Sequence, residues 1–256
     1  IRELLSEKGS LYVHCDGRKS HHLRMILDEI FGETNFRNEI RWKRQPVRGA
    51  KARAKQYAKN SDTILFYSKS SIWTWNGAYK PYDENFIKTK FREDENGRLF
   101  RDCDLGDYSE DSIKKFEAEN KIYITSGGKK RLKRFLDEER GESLGDMWID
   151  IPELNSQAME RENYPTQKPE ALLTRIINAS SQEGDLIFDC FAGSGTTLAT
   201  ALKLNRRFIG ADINLGAIQT TSKRLINSLK NIDNAVGFEV FNVNNYDLFR
   251  NPIQAK

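Results

Sequence analysis

Proline is scarce in this chain and never doubled: Pro46, Pro81, Pro152, Pro165, Pro169 and Pro252 each stand alone. Cysteine is scarcer still. Cys15, Cys103 and Cys190 are scattered and odd in number, which argues against a disulfide framework and lacks the paired spacing of a zinc site; no metal is expected. Every charge-free stretch falls short of the roughly 18–20 apolar residues that a membrane-spanning helix needs. The opening Ile1-Arg2-Glu3-Leu4-Leu5 reads as the end of an amphipathic helix over residues 1–8, not as a secretory signal. These absences suit a reducing cytoplasm. Ile1 is not an initiator methionine and the pattern is entered midway, so the expectation is a fragment of a longer protein.

What is present suits a soluble globular chain. The 256 residues, 38% hydrophobic and 30% charged, suffice for one large core or one core carrying an inserted lobe. A net charge of +4 says little, but its distribution says more. Between Arg41 and Lys59 lie eight basic residues and no acid, and Lys129-Lys130-Arg131 with Lys133 and Arg134 forms a second cluster. An acid-free basic run is the usual electrostatic footprint for phosphates, the alternative being a solvated face. Trp42, Tyr57, Trp73, Trp75, Tyr79 and Tyr82 lie in or just after the first run, which suits stacking on bases. Trp42 and Tyr67 read better as sheet core.

Along the chain, Ser10–Asp16, 38–43 and 62–68 read as strands, and 20–31 as a helix with Leu23, Ile26, Leu27 and Ile30 on one face. Residues 73–145 lose this rhythm. Helical stretches near 109–120 and 129–139, with turns at Gly127-Gly128 and Gly141, make an inserted lobe. The rhythm returns with a strand at 147–151, a helix from about Lys168-Pro169 to Ser181, a buried strand at 185–190, a helix at 196–204, a strand at 207–212, a helix at 215–230 and a last strand at 237–243. Alternating strands and helices predict an α/β, doubly wound, mostly parallel sheet.

The informative stretch is Asp189-Cys190-Phe191-Ala192-Gly193-Ser194-Gly195-Thr196-Thr197, a strand running through two glycines into a helix. Glycine lets backbone approach a ligand closely, although tight strand–helix packing explains Gly-x-Gly equally well. A phosphate-cradling loop is disfavoured, because no lysine follows Gly195. A dinucleotide fingerprint is disfavoured too, because its third glycine would fall on Leu198. Asp212 ends the next strand, where a carboxylate accepts ribose hydroxyls or caps a helix.

Asp189 to Thr197 resembles the S-adenosylmethionine-binding motif of DNA amino-methyltransferases. Upstream, Thr166-Gln167-Lys168-Pro169 with Leu172-Leu173 and Ile176-Ile177 is similar to the segment preceding that motif in the circularly permuted (β-type) members. Downstream, Arg207 to Asn214 resembles their ribose-binding strand. Gly9 to Val13 and Asn38 to Lys43 resemble the strands leading to their target-recognition region.

The resemblance implies a Rossmann-like methyltransferase sheet in three parts. Residues 1–72 form the target-base side with a basic loop at 41–59, 73–145 the recognition lobe, and 146–256 the cofactor-binding part. It implies that Asp189, Phe191, Gly193 and Gly195 line the cofactor, that Asp212 binds its ribose, and that Thr166, Gln167 and Lys168 close over its methionine end. Arg44, Arg48, Lys51, Arg53 and Lys55 are the candidate contacts to double-stranded DNA. The implied activity is site-specific methylation of adenine N6, with cytosine N4 as the alternative, in a prokaryotic restriction-modification setting, with a homodimer or partner subunits conceivable. An RNA or protein methyltransferase, or a non-catalytic DNA-binding derivative, are the competing readings. The family's Asp-Pro-Pro-Tyr, which holds the target amine, requires adjacent prolines that this chain lacks. It is expected before Ile1, and these residues alone are expected to be inactive.

Overall fold

The computed structural model describes residues 1–45, 53, 55–155, 157–162, 164–230 and 237–243. Their contacts divide into two units, residues 1–153 with 175–182, and residues 154–174 with 183–256.

The first unit begins with a short 3-10 turn at Arg2–Leu4, in place of the expected helix end over residues 1–8. Strand β1 (Ser10–Asp16) leads into helix α1 (Ser20–Phe31), then β2 (Phe36–Lys43) and β3 (Ser61–Ser68). Their order with β10 (Met147–Trp148) is β1-β3-β2-β10. β3 runs antiparallel to both neighbours, and only β10 lies parallel, to β2. This corrects the mostly parallel sheet expected from the sequence. No described helix joins β2 to β3, and parallel strands need a crossover, usually helical, so β3 returns antiparallel and inserts beside β1. β3 is covered on both faces, as its unbroken Thr63-Ile64-Leu65-Phe66-Tyr67 run requires. Leu65 and Tyr67 pack with Leu27 and Phe31 of α1, and the Tyr67 hydroxyl donates to Asp28 Oδ1 at 2.6 Å. Phe66 stacks on Tyr12 at 4.4 Å between ring centroids. As expected, Trp42 and Tyr67 are core: Trp42 is 1% exposed, and its Nε1–H donates to the carbonyl of buried Ile151 at 2.7 Å.

The same unit continues through β4 (Tyr79–Lys80), α2 (Glu84–Lys90), β5 (Arg92–Glu93), β6 (Leu99–Cys103), α3 (Glu110–Ala118), β7 (Ile122–Ile124), β8 (Lys130–Phe135) and β9 (Glu142–Ser143). β4 pairs with β9, and a separate antiparallel sheet has the order β5-β6-β8-β7. The helix expected at 129–139 is strand β8. Its buried Leu132 and Phe135 have helical spacing, but Gly128, at φ +79°, turns the chain back so that β8 pairs with β7 and β6. Inter-strand hydrogen bonds outweigh a local pattern of two residues.

Helix α4 (Glu170–Ser180) contributes its first turn to the second unit and residues from Arg175 onward to the first. The second unit otherwise holds β11 (Leu186–Asp189), α5 (Thr196–Lys203), β12 (Arg207–Gly210) and α6 (Leu215–Leu229). β11 and β12 pair in parallel, Leu186 opposite Arg207 and Asp189 opposite Gly210. Leu198, Ala199 and Leu225 form the core with Ala192, joined by Phe208 and Phe238. Two expectations fail here. β11 is half-covered, with Leu186 51% and Phe188 43% exposed. Residues 237–243 form no strand; Phe238 packs on the α5–α6 cluster instead.

Trp42→Phe keeps an aromatic ring but leaves the Ile151 carbonyl buried without its donor. Chemical denaturation should show a loss of about 1–3 kcal/mol; an unchanged midpoint would mean that this bond contributes nothing net.

Candidate functional site

Strand β11 delivers Asp189 to the start of a turn, Cys190 to Gly195, that opens α5. Gly193 and Gly195 sit at φ +54° and +72°, a left-handed conformation that side chains strain. A Cβ on Gly195 would lie 2.7 Å from Thr221 Cγ2 of α6, and one on Gly193 would lie 3.3 Å from the Tyr164 ring. Packing therefore accounts for Gly195, while Gly193 has only a movable ring beside it.

The turn is pinned to the end of β12. Ala192 N–H donates to Ala211 O at 3.0 Å, Ala211 N–H to Asp189 O at 2.9 Å, and Gly193 N–H to Asp212 Oδ2 at 2.9 Å. The other Asp212 oxygen accepts from Asn214 N–H at 2.9 Å, and Asp189 Oδ1 accepts from Phe191 N–H at 3.0 Å. Asp212 does not cap α6, since Asn214 does, accepting from Gly216 and Ala217. Asp189, Phe191, Gly193, Gly195 and Asp212 thus come together at the carboxyl ends of two parallel strands, where open α/β sheets bind ligands. Phe191 (84%) and Ile213 (95%) stand exposed beside them.

Thr166, Gln167 and Lys168 lie on the adjoining segment. Lys168 meets the turn through its backbone: its carbonyl accepts from the Thr196 hydroxyl at 3.3 Å. Gln167 spends its side-chain amide inside its own loop. Its Nε2 donates to Glu160 O at 2.5 Å, and its Oε1 accepts from Glu162 N–H at 2.7 Å. Lys168 Nζ donates to Thr166 O at 2.9 Å. In this arrangement Gln167 shapes the loop, and the Lys168 main chain touches the turn. Sequence reasoning missed Tyr164, Thr221 and Arg224. Ala217, Thr221, Arg224 and Leu225 form one buried stripe on α6, and polar residues in an otherwise apolar helical stripe are the signal that could have found the last two.

In the first unit, Arg44 pairs with buried Asp62 at 3.2 Å, which also receives His14 Nε2 at 2.9 Å. Arg53 and Lys55 are exposed, and Arg48 and Lys51 lie outside the described residues. Tyr57 is fully exposed. The second basic cluster is matched by acids: Lys129 with Asp104 and Lys130 with Glu117, both at 2.6 Å, and Arg131 with Asp102 and Asp104.

Gly195→Ala meets both a strained dihedral and a methyl–methyl clash, so it should destabilise the second unit by about 2 kcal/mol or more, and Gly193→Ala by about 1 kcal/mol. Unfolding followed by amide exchange in α5 and α6 checks the order; equal losses would refute the packing difference.

Comparison with known proteins gives the same family as the motifs. The family model described as DNA methylase (N6_N4_Mtase) matches residues 1–223. The chain is 28% identical over 248 residues to the type II methyltransferase M.EcaI of Enterobacter cloacae, covering 88% of this chain and 54% of that protein. It is 52% identical over 81 residues to the DNA adenine methyltransferase YhdJ of Escherichia coli K12, covering 32% of this chain and 27% of that one. The chain thus spans about half or less of the length of these curated relatives. In fold it is similar to M1.HpyAVI crystallised with SAM, at TM-score 0.52 and 20% identity, over 87% of this chain and 76% of that one. With the match running through the strands of the first unit and the glycine turn of the second, the chain belongs to the N6/N4 DNA methylase family.

Proposed function

We propose that this chain carries the S-adenosylmethionine site and the DNA-contacting surface of a site-specific DNA methyltransferase that methylates adenine N6. The observation that carries this reading is the Asp212 carboxylate hydrogen-bonded to the Gly193 turn at the ends of β11 and β12. A carboxylate offers about four acceptor positions, and Gly193 and Asn214 use two. The remaining pair suits the two hydroxyls of a ribose. Gly193, with no Cβ, leaves backbone open to the methionine portion. Phe191 and Ile213 give exposed apolar surface for the adenine ring. S-adenosylmethionine, when bound, supplies an electrophilic methyl group on a sulfonium. M1.HpyAVI, which shares the fold, was solved with that molecule.

Residues 73–145 serve as the target-recognition lobe, and Arg48, Lys51, Arg53 and Lys55 of the basic run at 41–59, whose first three residues belong to β2 and so are not part of a loop, hold phosphates, Arg44 contributing less because Asp62 already engages it. Phosphate contacts position the duplex, whereas base edges specify it. Adenine is supported by the 81 residues at 52% identity to an adenine methyltransferase. The block order supports the permuted (β-type) arrangement. The acceptor pair for the flipped amine is not an Asp-Pro-Pro-Tyr within these 256 residues, so methyl transfer needs that element supplied in cis or as a separate chain.

Two measurements follow. Calorimetry should detect S-adenosylmethionine binding that Asp212→Ala weakens by about tenfold or more, as expected when a charged hydrogen-bond acceptor is removed; unchanged affinity removes the ribose role. Duplex DNA binding should weaken with salt, and replacing Arg48, Lys51 and Arg53 by alanine should flatten the log–log slope by about 0.9 for each phosphate that is no longer neutralised. An unaltered slope makes the run a solvated face. Tritium transfer to DNA by these residues alone would show that another residue set holds the amine.

A further inference from the structure

We propose that Arg224 of α6 is the positioning residue of the cofactor turn, holding it in register with the segment that carries Thr166–Lys168. The proposal rests on the reading of the turn as an S-adenosylmethionine site and concerns how that site is kept in shape.

Arg224 is 4% exposed, unusual for a guanidinium unless its donors are all placed. Its Nη1 donates to the Thr196 hydroxyl at 2.9 Å and lies 3.4 Å from the Ser194 carbonyl. Its Nη2 donates to Glu170 Oε1 at 2.9 Å and stands 3.7 Å from Glu160 Oε2. Glu160 in turn accepts from the Glu170 backbone N–H at 2.8 Å, fixing the start of α4. One planar fork therefore spans the far end of the glycine turn and both carboxylates of the 160–170 segment.

The chain of contacts continues to the ligand side. Thr196, held by Arg224, donates to the Lys168 carbonyl. One turn earlier on α6, Thr221 donates to the Gly193 carbonyl at 3.1 Å and fills the space beside Gly195. Thr221 and Arg224, three apart on one helix face, thus address four successive turn residues, 193 to 196. Burial alone would push the Glu170 carboxyl up; hydrogen bonds from Lys203 and Arg224 outweigh it and hold the group below its ordinary value, so it is ionised at neutral pH and the pair is charged. A lysine could not substitute. Its ammonium is a point donor, whereas the guanidinium fork reaches Thr196 and Glu170 together.

The test uses the whole chain, with S-adenosylmethionine as the calorimetric probe and peptide-level amide exchange as a second readout that needs no ligand. Arg224→Met and Thr196→Val should each weaken binding by about tenfold, and the double variant should be little worse than either, since both break one link. Arg224→Lys should regain most of the thermal stability lost in Arg224→Met without regaining affinity. Lys203→Met, which removes a partner from the same Glu170 without touching the turn, should bind within about twofold of wild type. Exchange in the peptide covering 191–198 should quicken in Arg224→Met and in Thr196→Val. Wild-type affinity in Arg224→Met, affinity rescued by lysine, or unchanged exchange at 191–198 would each overturn the assignment. Should the wild-type chain fail to bind S-adenosylmethionine, the cofactor reading falls, and the exchange data still decide whether Arg224 holds the turn.

Discussion

Two glycines in a left-handed conformation cannot hold themselves in place, and the second unit is organised around that constraint. Backbone amides at such a turn point away from any helical partner and must be satisfied from elsewhere. The parallel register of β11 and β12, with Asp189 level with Gly210, sets the two strand ends side by side, so that Asp212 reaches the Gly193 amide. Gly210 is needed for the same reason. A Cβ there would lie 2.3 Å from Leu198 Cδ2, so the Leu198 side chain that packs α5 on the strand would have to shift. A carboxylate that pins the turn in this way still has acceptor positions in reserve, and the proposed ribose role draws on these.

Much of this is legible in the amino-acid sequence. The strand of β-branched and aromatic residues at β3, the glycine turn and the starts of α5 and α6 are local patterns and lie where the sequence puts them, whereas the covered face of α1 is Leu23, Leu27 and Phe31, and the expected Ile26 and Ile30 stand about half exposed. The failures are non-local. The direction of β3 depends on a partner far along the chain, and β8 takes its identity from β6 and β7 while its own Leu132 and Phe135 mimic a helix. Residues 237–243 are rich in strand-forming Phe and Val but form no ladder among the described residues, and β-propensity without a partner is not a strand. At β11 the run Leu186-Ile187-Phe188 reads as uniformly buried, yet only its Ile187 face is covered by comparison.

The site residues divide in the same way. Asp189, Phe191, Gly193, Gly195 and Asp212 sit within a stretch that resembles a family motif and its sequel, so the resemblance groups them. Thr221 and Arg224 reach the turn from a helix with no motif, and Tyr164 reaches Gly193 from the preceding segment. Gln167 shows the converse: a residue inside a recognised motif whose amide is consumed by its own loop. Motif membership tells which residues lie near the site, and hydrogen-bond accounting tells which still have capacity to act there.

Charge teaches a similar distinction. The cluster around Lys129 to Arg134 and the run from Arg41 to Lys59 look alike as strings of cations. In the folded lobe Asp102, Asp104 and Glu117, none adjacent in sequence, lie against the first of these. Such exposed pairs are worth about 0–1 kcal/mol each, too little to be the reason for the fold, yet they offset part of the positive field of the cluster. At the leading edge of the 41–59 run, Arg41 pairs with Glu39 and Arg44 with Asp62. Arg53 and Lys55 carry no acid beside them in sequence and remain exposed. A phosphate backbone draws on cations whose field is not already cancelled, which makes exposed Arg53 and Lys55 better candidates for DNA contact than the acid-paired Lys129, Lys130 and Arg131.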